Sequence, residues 1–293
     1  MAEFSYHLVE DVAKELYIRA LKVLPPDVRE ALDKAYEKET NETAKGILKT
    51  ILENIRVADE ENLLICQDTG LPIYFVTIGS KFSVDGARIA KALNKGAERA
   101  TLEHPFRGSS THALTRVNPQ TSVGEGLPVI HWEFNEDASH LEILMVPKGS
   151  GSENMSAMKM FIPADGVKAL KKFILDRVIE SGSKPCPPGI IGVGIGGTAD
   201  LVSVLAKKAI ARPVGSSSPD PQLGQMEQEL LKAINATGIG PMGLGGDTTT
   251  LAVHIEGAYT HITQNPIAVN TQCWPARRAR AKIYPDGNVE YGF

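Results

Sequence analysis

Residues 63–79 read Leu63-Leu64-Ile65-Cys66-Gln67-Asp68-Thr69-Gly70 and then LPIYFVTIG to Gly79. The run Leu71–Gly79 is apolar, nine residues long and rich in β-branched and aromatic side chains, which predicts a buried β-strand. Leu63–Ile65 is too short for a helix and leads into a polar loop, Cys66–Gly70. Upstream the period changes. Apolar residues at 9, 12, 13, 16, 17, 20 and 21 make one helical stripe between Val9 and Val23. Pro25-Pro26 interrupts it, Asp27–Glu37 restarts it, and Ala44–Ala58 carries a third stripe through Ile47, Leu48, Ile51, Leu52 and Ile55. Helices packed against a strand are therefore expected from the first 80 residues.

Downstream, Ser83 or Asp85 caps a helix expected to run to about Thr101. Residues 104–126 are rich in Pro, Gly, Ser, Thr and Asn, and a loop of that length in a compact chain is usually functional or disordered. Strands are expected at Leu127–Phe134 and Leu141–Val146, the second leading into the glycine loop Lys148–Asn154. Ala164–Ser181 and Gln225–Ile234 have helical spacing, Leu251–Ile255 is a short apolar run, and Ala281–Tyr291 reads as a hairpin around Asp286-Gly287. The expected fold is α+β: a helix-rich single domain, residues 1–293, around a small mixed sheet, with glycine-rich loops converging on one site.

Composition narrows the function. Hydrophobic residues make up 42% and charged residues 23%, which excludes collagen, coiled-coil and disordered classes. A net charge of −4 from 31 Lys+Arg and 35 Asp+Glu leaves no footprint for nucleic acid. No stretch is long and apolar enough for a membrane span, and the first 20 residues lack the pattern of a secretory signal. Three cysteines in 293 residues do not build a disulfide framework, so a reducing, cytoplasmic setting is expected.

Gly192-Val193-Gly194-Ile195-Gly196-Gly197 formally fits the dinucleotide fingerprint G-x-G-x-x-G. That site also needs a following strand ending in an acidic residue for the ribose, and Ala211–Ser218 supplies none. The alternative is that these glycines let backbone come close to another element or a ligand.

Cys66, Cys186 and Cys273 all lie in loops: Cys66-Gln67-Asp68, Pro185-Cys186-Pro187 and Gln272-Cys273-Trp274. Buried thiols serving as small hydrophobes are the ordinary expectation, and loop settings speak against it. Gaps of 120 and 87 residues do not match the close pairs of structural zinc. A nucleophilic cysteine would leave two unexplained. Three thiolates can also hold three irons of a four-iron cluster, leaving the fourth iron open.

Several pieces of the chain resemble the iron–sulfur hydro-lyases of the class I fumarase and L-tartrate dehydratase family, in their cluster-bearing N-terminal domain or α subunit. They are Glu53-Asn54, Cys66–Gly70, Phe106-Arg107-Gly108-Ser109, Lys148–Asn154, Pro188–Gly197, Thr237–Gly246, and His261 with Pro266–Asn270 and Cys273-Trp274. The resemblance implies a [4Fe-4S] cluster on Cys66, Cys186 and Cys273. It implies that Gln67 and Asp68 contact substrate, with Asp68 the candidate for proton traffic, and that Arg107 holds a substrate carboxylate. It implies that Gly151 offers backbone to the substrate and that His261 lines the site. Phe106-Arg107-Gly108 departs from the family's Leu-Arg-x-Ser version, and Arg116 is the nearby alternative. Arg277, Arg278 and Arg280 are expected on a solvated face.

The implied reaction is reversible hydration of fumarate to L-malate, with dehydration of L-tartrate as the alternative. In the family the proton-abstracting group belongs to a second domain, and no such domain follows Cys273 here. The implied partner is a separate β subunit, within an oligomer acting on a small dicarboxylate. A non-catalytic iron–sulfur protein and a nucleotide-binding oxidoreductase are the lower-ranked expectations.

Overall fold

The structure is a computed structural model that describes residues 4–293. The helices are α1 (Tyr6–Lys22), α2 (Pro26–Lys38), α3 (Glu42–Glu60), α4 (Gly86–Glu103), α5 (Ser150–Glu153), α6 (Gly166–Ser181), α7 (Ala199–Ala209) and α8 (Pro221–Asn235). The strands are β1 (Leu71–Gly79), β2 (Val129–Asn135), β3 (Leu141–Lys148), β4 (Ala157–Phe161), β5 (Gly189–Ile195), β6 (Thr250–Gly257), β7 (Asn265–Gln272), β8 (Ala279–Ile283) and β9 (Val289–Gly292). The expected mixture of helices with mixed sheets is present. The strands form two sheets where one small sheet was expected, with orders β2-β1-β3-β8-β9 and β4-β7-β5-β6. The chain divides into two compact units, each holding one sheet.

The first unit comprises residues 1–25, 58–149 and 277–293. α1 buries Val9, Val12, Ala13, Leu16, Tyr17, Ala20 and Leu21, the seven positions of its stripe. It packs on α4 so closely that a Cβ on Gly96 would lie 2.5 Å from the Glu10 carbonyl oxygen. Asp85 is the N-cap of α4, accepting from the backbone N–H of Ala87 at 2.8 Å. β1 is parallel to β2 and antiparallel to β3, so it separates two strands that follow one another in sequence. β8 and β9 form the expected terminal hairpin and extend the sheet from β3.

The second unit comprises residues 26–57 and 150–276. Its core joins Leu170, Ile174 and Val178 of α6 and Met226, Leu230 and Ile234 of α8 to the apolar faces of β5, β6 and β7. The glycine run of the formal dinucleotide fingerprint belongs largely to β5. A Cβ on Gly192 would lie 2.4 Å from the Ala206 carbonyl oxygen, and one on Gly194 would lie 2.1 Å from that of Val202. These glycines let α7 lie directly on the strand, as the close-approach reading expects.

Candidate active site

In the first unit, the loop after Cys66 is fixed from several directions. Asp68 accepts from the backbone N–H of Gly70 at 2.9 Å through its own carboxylate, closing a local turn. The Thr69 hydroxyl donates to the Arg107 carbonyl at 2.9 Å, which ties the Asp68 loop to the Arg107 loop. Gly70 sits at φ +68°, and a Cβ there would lie 2.8 Å from the Lys148 backbone. Tyr17 Oη lies 2.9 Å from the Gly70 carbonyl and 3.3 Å from that of Thr69, with the Ser122 hydroxyl 3.2 Å away. Burial pushes the Tyr17 phenol up to about 12, against the opposing pull of the Ser122 hydrogen bond and the Arg277 charge, so it stays a neutral donor. Arg277 donates through Nη1 to the Asp68 carbonyl. A Cβ on Gly149 would lie 2.9 Å from Asp68 Oδ2 and 3.5 Å from Arg277 Nη2.

Arg277 and Arg278 correct the expectation of a solvated face: they are 1% and 2% exposed. Arg280 is exposed, as expected, 3.8 Å from Glu142. Arg107 and Gln67 are exposed, and Cys66 and Asp68 are partly buried. The alternative cation, Arg116, is exposed at φ +60° in a tight turn, donating its N–H to the His112 carbonyl at 2.9 Å.

In the second unit, Cys186 and Cys273 are brought together by backbone. The Trp274 N–H donates to the Cys186 carbonyl at 3.1 Å. Three residues past Cys186, a Cβ on Gly189 would fall 1.7 Å from the Gln272 carbonyl oxygen, so the two segments meet at a point open to glycine alone. Cys186 adopts φ +56° and is exposed, whereas Cys273 is partly buried. No disulfide involves any of the three cysteines. Gly151, in α5, is exposed, and a Cβ there would lie 3.1 Å from the Lys184 carbonyl, two residues before Cys186.

The segment carrying Gly151 is anchored at its end. Glu153 pairs with Lys207 and accepts from Asn270 Nδ2 at 3.1 Å, while the Thr271 hydroxyl donates to the Ser152 carbonyl at 2.8 Å. His261 is exposed between β6 and β7, with Nδ1 3.2 Å from the Thr263 N–H and 2.8 Å from its hydroxyl.

Each unit therefore assembles its own set. The first holds Cys66, Gln67, Asp68 and Arg107, and the second holds Gly151, Cys186, Cys273 and His261. Tyr17 and Arg277 were missed as loop anchors, the first because it completes an apolar stripe and the second because it sits in a basic run. Among the described residues, no three His, Cys, Asp or Glu side chains are grouped to hold a metal ion, and no helix is long and apolar enough to cross a membrane.

The family model described as "Fumarate hydratase (Fumerase)" matches residues 10–282. The chain belongs to the fumarate hydratase family. The chain is 45% identical over 283 residues to "Putative L(+)-tartrate dehydratase subunit alpha" of Methanocaldococcus jannaschii, covering 96% of this chain and 99% of that protein. It is 33% identical over 267 residues to the L(+)-tartrate dehydratase subunit alpha of Escherichia coli strain UTI89, covering 91% and 88%. The Shigella sonnei protein of the same name matches to the same extent. The matched stretch contains every candidate site residue named above.

Proposed function

We propose that the chain, as one hydro-lyase domain, is the α subunit of an iron–sulfur enzyme that adds and removes water at a four-carbon dicarboxylate. The reaction put first is reversible hydration of fumarate to L-malate, following the family's description. The second is dehydration of L(+)-tartrate, favoured by the names of relatives at 45% and 33% identity. The observation carrying the proposal is the Asp68 loop. It follows directly on Cys66, its carbonyls are held by Arg277 and Tyr17, and it is tied to the Arg107 loop by Thr69.

Cys66, Cys186 and Cys273 would hold a [4Fe-4S] cluster. The donor set fits: three thiols outside disulfides, two of them on segments joined by the Trp274 bond. When bound, such a cluster supplies a Lewis acid for the substrate hydroxyl.

The remaining work falls to the chain's own side chains. Arg107 is exposed, and its guanidinium would take a substrate carboxylate bidentately. Gly151 presents backbone free of a side chain, and Gln67 supplies an amide beside Asp68. Asp68 is the group for moving a proton or orienting the departing water, because its turn and the buried Arg277 hold it in place. His261 is a further polar group for the substrate. The base on the opposite face belongs to a β subunit, a partner consistent with the "subunit alpha" names of relatives spanned over 99% and 88% of their length. A reducing, cytoplasmic setting suits an exposed Cys186.

The test is anaerobic reconstitution of the chain with iron and sulfide, addition of the β subunit, and assay on fumarate, L-malate and L-tartrate. The expected result is the broad visible absorption of a four-iron cluster, lost in Cys66→Ser, Cys186→Ser or Cys273→Ser. Turnover of the fumarate/L-malate pair, or of L-tartrate, should require both subunits. A chain that takes up no iron, or full turnover in all three serine variants, defeats the proposal.

A further inference from the structure

Arg277 is among the largest fully buried side chains, 1% exposed, although it lies in a run of three arginines. Taking a guanidinium out of water is costly unless each donor finds an acceptor. Here Nη1 donates to the Asp68 main-chain carbonyl, while Nε is buried without a hydrogen-bond partner. A residue kept only to fill space would be met more cheaply by Leu or Met. Nη2 and Asp68 Oδ2 both lie against the Cα of Gly149, at 3.5 and 2.9 Å from where its Cβ would stand. Both charges are also near enough to the buried Tyr17 phenol to act on it, Arg277 pulling it down and Asp68 pushing it up. Three segments far apart in sequence, at residues 68, 149 and 277, thus meet at one point within the first unit.

We infer that Arg277 is a positioning residue: its Nη1 donor fixes the Asp68 main-chain carbonyl and so sets where the Asp68 carboxylate stands for reaction. This rests on the reading above that Asp68 works on the substrate. Tyr17 holds the following carbonyls and the Gly70 N–H holds the carboxylate Oδ1, so Arg277 is the side chain that holds the Asp68 main chain itself. Lysine would keep the charge and one donor at the carbonyl but lose the fork. Methionine would keep the bulk and lose both.

The experiment compares Arg277→Lys and Arg277→Met in the full chain, loaded with iron and sulfide and combined with the β subunit. Misplacing a reacting group by about 1 Å costs about a hundredfold, so Arg277→Met should lose about that factor in kcat, and Arg277→Lys about tenfold. KM should stay within about threefold in both, because the carboxylate-binding groups are untouched. Hydrogen exchange on the full chain gives a readout independent of turnover. Amides of residues 68–70 should exchange faster in graded fashion, with α1 and α4 unchanged. Exchange raised throughout the first unit, with Arg277→Lys as impaired as Arg277→Met, would mean a merely structural role and overturn the inference. Wild-type kcat in Arg277→Met would overturn it too. If Arg277→Met does not fold, Arg277→Lys decides: local exchange with the kcat loss supports the inference, and wild-type behaviour in both overturns it. Asp68→Asn separates the two layers. Wild-type turnover by that variant, on whichever substrate the wild type uses, removes the underlying reading and the inference with it. An inactive Asp68→Asn beside fully active Arg277 variants removes the inference alone.

Discussion

Gly149→Ala isolates the placement of the Asp68 carboxylate from the rest of the fold. Gly149 is buried at the junction after β3, and its φ is not in the left-handed region, so alanine suffers no backbone penalty there. The new methyl would stand 2.9 Å from Asp68 Oδ2, where ordinary contact begins at 3.4 Å. The carboxylate must therefore withdraw by about half an ångström, because packed interiors have no slack to absorb the overlap. If 1 Å of misplacement costs about a hundredfold, half of that costs about tenfold in kcat, or about 1.4 kcal/mol of transition-state stabilisation. Overpacking at a side-chain tip should lower stability by about 1 kcal/mol, a few degrees in Tm. The assay is steady-state turnover of the reconstituted α–β complex beside a thermal melt of the same sample. Gly70→Ala is the contrast. Its methyl meets Lys148 main chain at 2.8 Å in a left-handed residue, so neither partner can yield and the fold itself should be lost. A folded Gly149→Ala with wild-type kcat, measured where Asp68→Asn is inactive, refutes the claim that the position of this carboxylate matters.

Tyr17→Phe removes the hydroxyl beside the Gly70 and Thr69 carbonyls and should cost about 1–3 kcal/mol by leaving buried acceptors unmet, read as a Tm lowered by several degrees. Glu227 is 1% exposed and accepts from the Ile255 N–H at 2.7 Å, the Ser218 N–H at 2.9 Å and Arg212 at 2.7 Å. Glu227→Ala should therefore cost about 3–5 kcal/mol in urea unfolding, far more than any exposed ion pair of the molecule. Gly192→Ala would push a methyl to 2.4 Å from the α7 backbone, and an unfolding midpoint unchanged from wild type would contradict the packing described.

What could be read from the sequence was periodicity. The α1 stripe named all seven buried positions, and β1 begins and ends where its apolar run does, because both rest on local burial patterns. Four strands are not named by the sequence: β6 shows only as a short apolar run, and the other three have physical reasons. β5 is rich in glycine, which weakens strand propensity but is demanded by α7 lying on it. β4 carries the exposed Met158 and Met160, so it shows no apolar run. β7 ends in Asn270, Thr271 and Gln272, polar residues that are buried because the first two tether the Gly151 segment. Local pattern fails where side chains serve a loop from another part of the chain. The same holds for the site. The cysteines stand out by count and flanks, but the approach of Cys186 to Cys273 depends on β5–β7 register, with Ile190 opposite Gln272. The burial of Arg277 depends on a loop 209 residues away.

The strand order of the first sheet bears on how the chain is made. β3 takes β1 on one side and β8 on the other, and β8 is made only after residues 149–278 have been added. While the intervening segment is being synthesised, one flank of β3 has no strand to pair with, and Leu141, Ile143 and Met145 lack the cover that Ala279, Ala281 and Ile283 later provide. The nascent protein thus carries an open sheet edge while residues 149–278 are being added, an edge of the kind that holding chaperones cover. Co-expression with such chaperones, or slowed translation after β3, is the practical lever on soluble yield.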